Sequence, residues 1–169
     1  MHTHQPTGNA ARELVQRMGE AANNFLASLS TDQRAKAQID FADETERTAW
    51  HYFPILRRGL HMGEMDRNQE RFAQKLVATG LSREGWVTTT TIMGLERTLD
   101  GIEGWTREPN WWRDADFYFV TIFGQPDGKK PWGWRFDGHH VCLNYTIVDG
   151  QIVSPTPTFF GSNPGESAL

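Results

Sequence analysis

Trp132-Gly-Trp-Arg-Phe-Asp-Gly-His-His-Val-Cys-Leu-Asn-Tyr-Thr-Ile-Val-Asp-Gly150 decides how this chain folds. Aromatic and β-branched residues fill the run, and Asp149-Gly150 separates Tyr145-Thr-Ile-Val148 from Gln151-Ile-Val-Ser154, the strongest short-range hairpin signal in the chain. Upstream, residues 117–123 read as a strand, and Gln125-Pro-Asp-Gly-Lys-Lys-Pro131 turns the chain back toward Trp132. The expectation is a three-segment antiparallel meander in the C-terminal half.

The N-terminal half carries a different period. Leu14, Val15, Met18, Ala21, Ala22, Phe25, Leu26 and Leu29 recur at three-and-four spacing, which predicts an amphipathic helix. Ser30 with Gln33 reads as a capping box opening a shorter helix that ends near Gln38. Asp43 and Glu46 repeat that logic before Trp50, and Pro54 places residues 51–63 in a loop. Asp66 with Gln69 starts a helix that stops at Gly80, and Ser82 starts another carrying Trp86, Met93, Leu95, Leu99 and Ile102. Helices first and strands second predict an α+β fold, with the helical N-terminal half packed on a C-terminal antiparallel β-meander.

At 169 residues the chain has room for one domain with a real core, expected over residues 10–164 between a flexible terminus (1–9) and a tail (165–169). A net charge of −4 without a concentrated basic surface argues against a nucleic-acid binder. The opening residues lack a basic start and an apolar run, and no segment approaches the roughly 18 apolar residues of a membrane span, so a soluble, cytoplasmic chain without an export signal is expected. Cys142 is the one cysteine, which rules out an internal disulfide. The turn-rich end after Phe159-Phe160 leaves an expected sheet edge to be covered by a further C-terminal region or by self-association.

A structural strand does not need two imidazoles, a guanidinium and an amide. If the run from Trp132 is one regular strand, Arg135, Asp137 and His139 share one face while Trp134, Phe136, His140, Cys142 and Asn144 share the other. His139 and His140 then point apart and cannot chelate one ion unless a bulge at Gly138 re-aims a ring. A divalent metal remains open, with His51, His61 or Glu96 as further donors, but no H-E-x-x-H or C-x-x-C spacing assigns its ligands. The alternative chemistry is a single His as general acid or base, oriented by Asp137 or Glu96. Cys142, His140 and Asn144 lie at two-residue intervals on one strand, a poor arrangement for a thiol nucleophile and its base.

Trp50-His-Tyr-Phe-Pro54, Arg57-Arg-Gly-Leu60, Ile92-Met-Gly-Leu-Glu96, Ile122-Phe-Gly124, Pro131-Trp-Gly-Trp-Arg-Phe136, Gly138-His-His140, Asn144-Tyr-Thr-Ile-Val-Asp-Gly150 and Thr156-Pro-Thr-Phe-Phe-Gly-Ser-Asn-Pro164 together resemble the family catalogued as domain of unknown function 3500. The resemblance spans residues 29–164. It implies a further region beyond the Asn-Pro signature and a small hydroxyl residue in relatives at the position of Cys142. It also points to Glu96, Arg135, His139 and His140 as a shared cluster.

The expectation for function is a small-molecule enzyme, hydrolytic and open to metal assistance, with its pocket between helices and sheet. His139, His140 and Glu96 would carry the catalysis. Arg57 and Arg135 would hold an anionic or polyhydroxylated ligand, Trp134 would wall the pocket, and Asn144 would contact the ligand. The competing expectation is a noncatalytic ligand-binding or interaction domain in which the histidines are structural.

Overall fold

A computed structural model describes residues 8–105 and 113–166. The N-terminal half is helical: α1 (Gly8–Ser28), α2 (Thr31–Ala37), α3 (Glu44–Arg47), α4 (Arg67–Thr79) and α5 (Arg83–Ile102). Local chemistry sets their limits. Ser30 and Gln33 form a reciprocal capping box on α2, Asp66 and Gln69 form another on α4, and Ser82 caps α5. The β-branched residues 88–91 do not interrupt α5. Thr88, Thr89 and Thr90 return their hydroxyls to carbonyls of the preceding turn, which satisfies them without breaking the ladder.

Among the described residues, seven strands form one mixed sheet. The long members are β3 (Phe119–Phe123), β4 (Trp132–Asp137), β5 (Val141–Val148) and β6 (Gln151–Ser154), antiparallel in that order. Two short strands share the outer edge of β3: β1 (Gln38–Ile39), which runs parallel to it, and β2 (Leu60–His61), which runs antiparallel. On the opposite edge β6 and β7 (Phe159–Phe160) divide the length of β5. The fold is therefore α+β, with more pieces than a three-segment meander. Residues 60–61, expected to be loop, pair with Phe119 and Val120 because their edge is open there.

One face of the sheet carries Val120, Ile122, Trp132, Trp134, Phe136, Leu143 and Ile147, buried against Met18, Ala22, Phe25 and Leu26 of α1 and Ala73, Leu76 and Val77 of α4. Each such large side chain contributes about 1.5–3 kcal/mol on leaving water. The run from Trp132 to Gly150 is not one strand. It reverses at residues 138–140, where the Gly138 amide donates to the Val141 carbonyl at 2.9 Å and His140 takes a φ of 60°. That reversal resets the alternation, so Asp137 pairs with Cys142 and Arg135 with Asn144 on a common face.

This second face is buried too, beneath a strap formed by α3 and residues 49–59. The strap lies close to the strand backbone. Gly59, at φ 118°, packs so near the sheet that a Cβ would stand 2.4 Å from the Thr121 hydroxyl.

Candidate functional site

Glu96 belongs to the buried stripe of α5, spaced with Thr89, Ile92, Leu99 and Asp100 along one helical face. That stripe faces the sheet, so the Glu96 carboxylate is turned inward, with only 2% of the residue exposed. Its Oε1 meets Nδ1 of His139 in a short hydrogen bond. Among the described residues no hydrogen bond engages the other ring nitrogen, Nε2. A carboxylate at Nδ1 holds the ring as the tautomer with its proton there, leaving the Nε2 lone pair as the free acid/base position.

The backbone of the turn is fixed on three sides. The Tyr118 hydroxyl donates to the His139 carbonyl at 2.6 Å. The His140 amide donates to the Tyr52 carbonyl, and the Gly161 amide to the His140 carbonyl, each at 2.8 Å. Gly138 is required, because a Cβ there would sit 2.3 Å from the Tyr118 ring. The two imidazoles do not point apart. The tight turn brings them side by side at a tilt, with centroids 4.1 Å apart and planes 33° apart. The His140 ring also contacts Tyr52 and Phe159 at 6.2 and 6.3 Å. Burial, then the neighbouring His139 and Arg113, lowers the His140 imidazole below its usual value.

Behind Glu96 stands Arg113, which nothing in the sequence singles out. Its side chain is clamped by Glu103 through two hydrogen bonds of 3.0 and 2.8 Å, which hold the guanidinium above its usual value. The remaining nitrogen, Nη1, lies 3.8 Å from Oε2 of Glu96. No local pattern marks Arg113. It becomes significant only because the chain returns beside α5 just before β3.

The side chains expected to hold a ligand are engaged elsewhere. Arg57 is drawn under the strap, where Nε pairs with Asp137 at 2.9 Å and the fork donates to the carbonyls of Ile55, Phe53, His51 and Gly138. Arg135 pairs with Glu46 at 2.5 Å and donates to the carbonyls of Glu46 and Ala49. Asp137 stands between the two arginines, 3.3 Å from Nε of Arg135. Burial pushes its carboxyl up, against the pull of both guanidinia. Neither fork is free for an anion. Trp134 is no pocket wall, because it lies in the helix-facing core, stacked on Tyr145 at 4.6 Å. Asn144 donates to the Pro157 carbonyl at 2.8 Å and so ties down the segment before β7. Cys142 is fully buried, and its thiol is pushed up to about 11 by that burial, which keeps it protonated at neutral pH.

Of the further metal donors considered, His61 sits between Phe117 and Phe119, with ring centroids 5.2 Å away in each case. His51 packs on Phe53. Among the described residues no three or more His, Cys, Asp or Glu side chains gather where they could hold one ion. Nor, among those residues, is any helix long and apolar enough to cross a membrane.

Fold and site together define a class: an α+β protein that suspends a carboxylate–imidazole pair between a buried helix face and the turn joining two central strands. The chain belongs to the family described as Protein of unknown function (DUF3500), whose model matches residues 11–168. No curated protein and no solved structure matches it.

Proposed function

We propose that this protein is an acid–base enzyme that hydrolyses a neutral small molecule, with His139 as the proton-transferring group and Glu96 as the residue that orients it. The observation that carries the reading is the buried Glu96–His139 contact, which occupies Nδ1 and leaves Nε2 without a partner among the described residues. In an ester or lactone, water would lose a proton to Nε2 as its oxygen adds to the acyl carbon. The acyl C–O bond would then break as the same proton passes to the leaving oxygen. Such positioned proton transfer supplies about 10²–10⁴ in rate.

The Glu103–Arg113 pair supports Glu96 from behind, with its cation facing the carboxylate oxygen that His139 does not use. The engagement of Arg57 and Arg135 inside the fold favours an uncharged substrate over an anionic one. A metal-assisted form of the reaction would need three such donors converging on one ion, and among the described residues no three His, Cys, Asp or Glu side chains gather in that way. Elemental mass spectrometry on the untagged protein, with His139→Ala alongside, measures that directly.

The test of the acid–base reading is hydrolysis of p-nitrophenyl acetate and dihydrocoumarin by the wild type, His139→Gln and Glu96→Gln. The expected result is loss of most of the rate in both variants while thermal unfolding stays cooperative. A wild-type rate no higher than that of His139→Gln sinks it. The second reading, a noncatalytic binding domain, is favoured by one observation: Trp50, Tyr52 and Phe53 stand exposed next to the histidines.

A further inference from the structure

The strap over the second sheet face combines two properties that rarely coexist. It is anchored by buried charge: the side chains of Arg57, Asp137 and Arg135 are each no more than 3% exposed. Taking such groups out of water costs several kcal/mol per ion before their pairing offsets it, so the strap is held in one place. Yet the anchored segment turns large rings outward. Trp50 is 37% exposed, Tyr52 43% and Phe53 44%. Aromatic surface gathered in one patch is usual where something binds.

The patch is preformed. Trp50, Tyr52 and Phe159 pack on one another with centroids 5.6–5.8 Å apart, leaving no gap between them for a cation, so a ligand meets their outer faces. It is also joined to the dyad, since Tyr52 stacks on His140, whose ring lies tilted against that of His139. Its polar fringe consists of a phenol and imidazoles. The nearby guanidinia of Arg57, Arg113 and Arg135 are paired internally with Asp137, Glu103 and Glu46. Exposed rings set at 47–90° to one another, with hydrogen-bonding groups at their edge and, among the described residues, these nearby guanidinia paired within the fold, offer separate aromatic faces to a ring that has an apolar face, a hydroxyl-rich rim and no charge.

We propose that the Trp50–Tyr52–Phe159 surface is a stacking subsite for a neutral saccharide, whose C–H face lies on one of these outward rings while its hydroxyls reach His140 and, beyond it, His139. The assignment rests on the acid–base reading for the orientation of the sugar toward His139, but binding itself does not require turnover. Loss of an aromatic platform residue is expected to remove about 1–2 kcal/mol of affinity, on the scale of ring contacts in general, which is roughly a tenfold change.

The experiment is saturation-transfer difference NMR on the full chain with methyl β-D-glucopyranoside and cellobiose, beside glucose 6-phosphate and benzyl alcohol. Trp50→Ala, Tyr52→Ala and Glu96→Gln are measured in parallel, with melting temperatures as a control for folding. The expected result is transfer to the ring C–H protons of the neutral sugars, weakened about tenfold in both strap variants and retained in Glu96→Gln. Saccharide binding without hydrolysis of any ester would sink the acid–base reading and leave the subsite standing. The subsite is overturned if neither neutral sugar binds, if binding is undiminished in both folded strap variants, or if glucose 6-phosphate or benzyl alcohol binds more tightly than the sugars.

Discussion

Glu96, midway along α5, closes on Nδ1 of His139, 43 positions later in the turn between β4 and β5. The contact joins the helical layer to the sheet at one buried point, and removing either partner has different consequences. His139→Gln removes the proton-transferring ring. Glu96→Gln keeps the shape of the orienting group while allowing its amide to donate to Nδ1, which favours the other tautomer. Both are expected to reduce any hydrolytic rate by about 10²-fold or more. Two-dimensional ¹H–¹⁵N spectra of the imidazoles check the cause: the protonated nitrogen of His139 should change in Glu96→Gln and stay at Nδ1 in His140→Gln.

Asp137 is the charge on which the strap depends, because it faces both Arg57 and Arg135. Arg57→Ala or Asp137→Ala leaves a buried charge without its partner, a loss of about 3–5 kcal/mol. Urea denaturation should show it. Hydrogen exchange should also show residues 49–58 opening before the sheet, and equal exchange in both regions would count against a separate anchoring role.

Acid should weaken the fold through its imidazoles. Burial is the largest cause of the lowered values of both His61 and His140. The unfolded chain therefore binds protons that the folded one refuses. Stability from these groups is full above the unfolded value of about 6.5 and is lost as pH falls through their lower folded values. Asp137, raised by burial, works in the opposite sense. Melting temperatures from pH 7 to 5 should fall less steeply in His140→Gln and His61→Gln than in the wild type, and parallel curves would contradict this.

Asp149 and Gly150 close the β5–β6 hairpin at φ 51° and 69°. A methyl at Gly150 meets nothing within 4 Å, so Gly150→Ala tests backbone strain alone. The left-handed conformation costs an L-residue about 1–2 kcal/mol, and chemical denaturation should report a loss of that size.

What was legible in the sequence was local. The capping boxes at Ser30 and Asp66 and the Asp149-Gly150 turn declare themselves within four residues, because their hydrogen bonds and dihedral angles are satisfied there. The turn at residues 138–140 was not legible, since a histidine at positive φ carries little signal and the apolar residues on both sides continue as if one strand ran through. Alternation also could not tell that Trp134 faces the helices and Arg135 the strap. All six residues of β4 are buried, so inside and outside have no contrast. Glu96 and His139 could be named as candidates from their types, but their contact depends on how α5 lies across the sheet. In the sequence Arg57 and Arg135 look like open cations, because pairing with Asp137 and Glu46 is settled only when the strap folds over.

The paired short strands at each margin of the sheet bear on how the protein behaves in a crowded solution. β1 and β2 divide one margin into pieces of two residues each, and β6 and β7 divide the other into pieces of four and two. A neighbouring chain seeking to add a strand would find its ladder interrupted after a few peptide groups, so copies of this protein gain little from zipping together edge to edge. The division that fits these short segments around the central strands also guards against fibre-like growth.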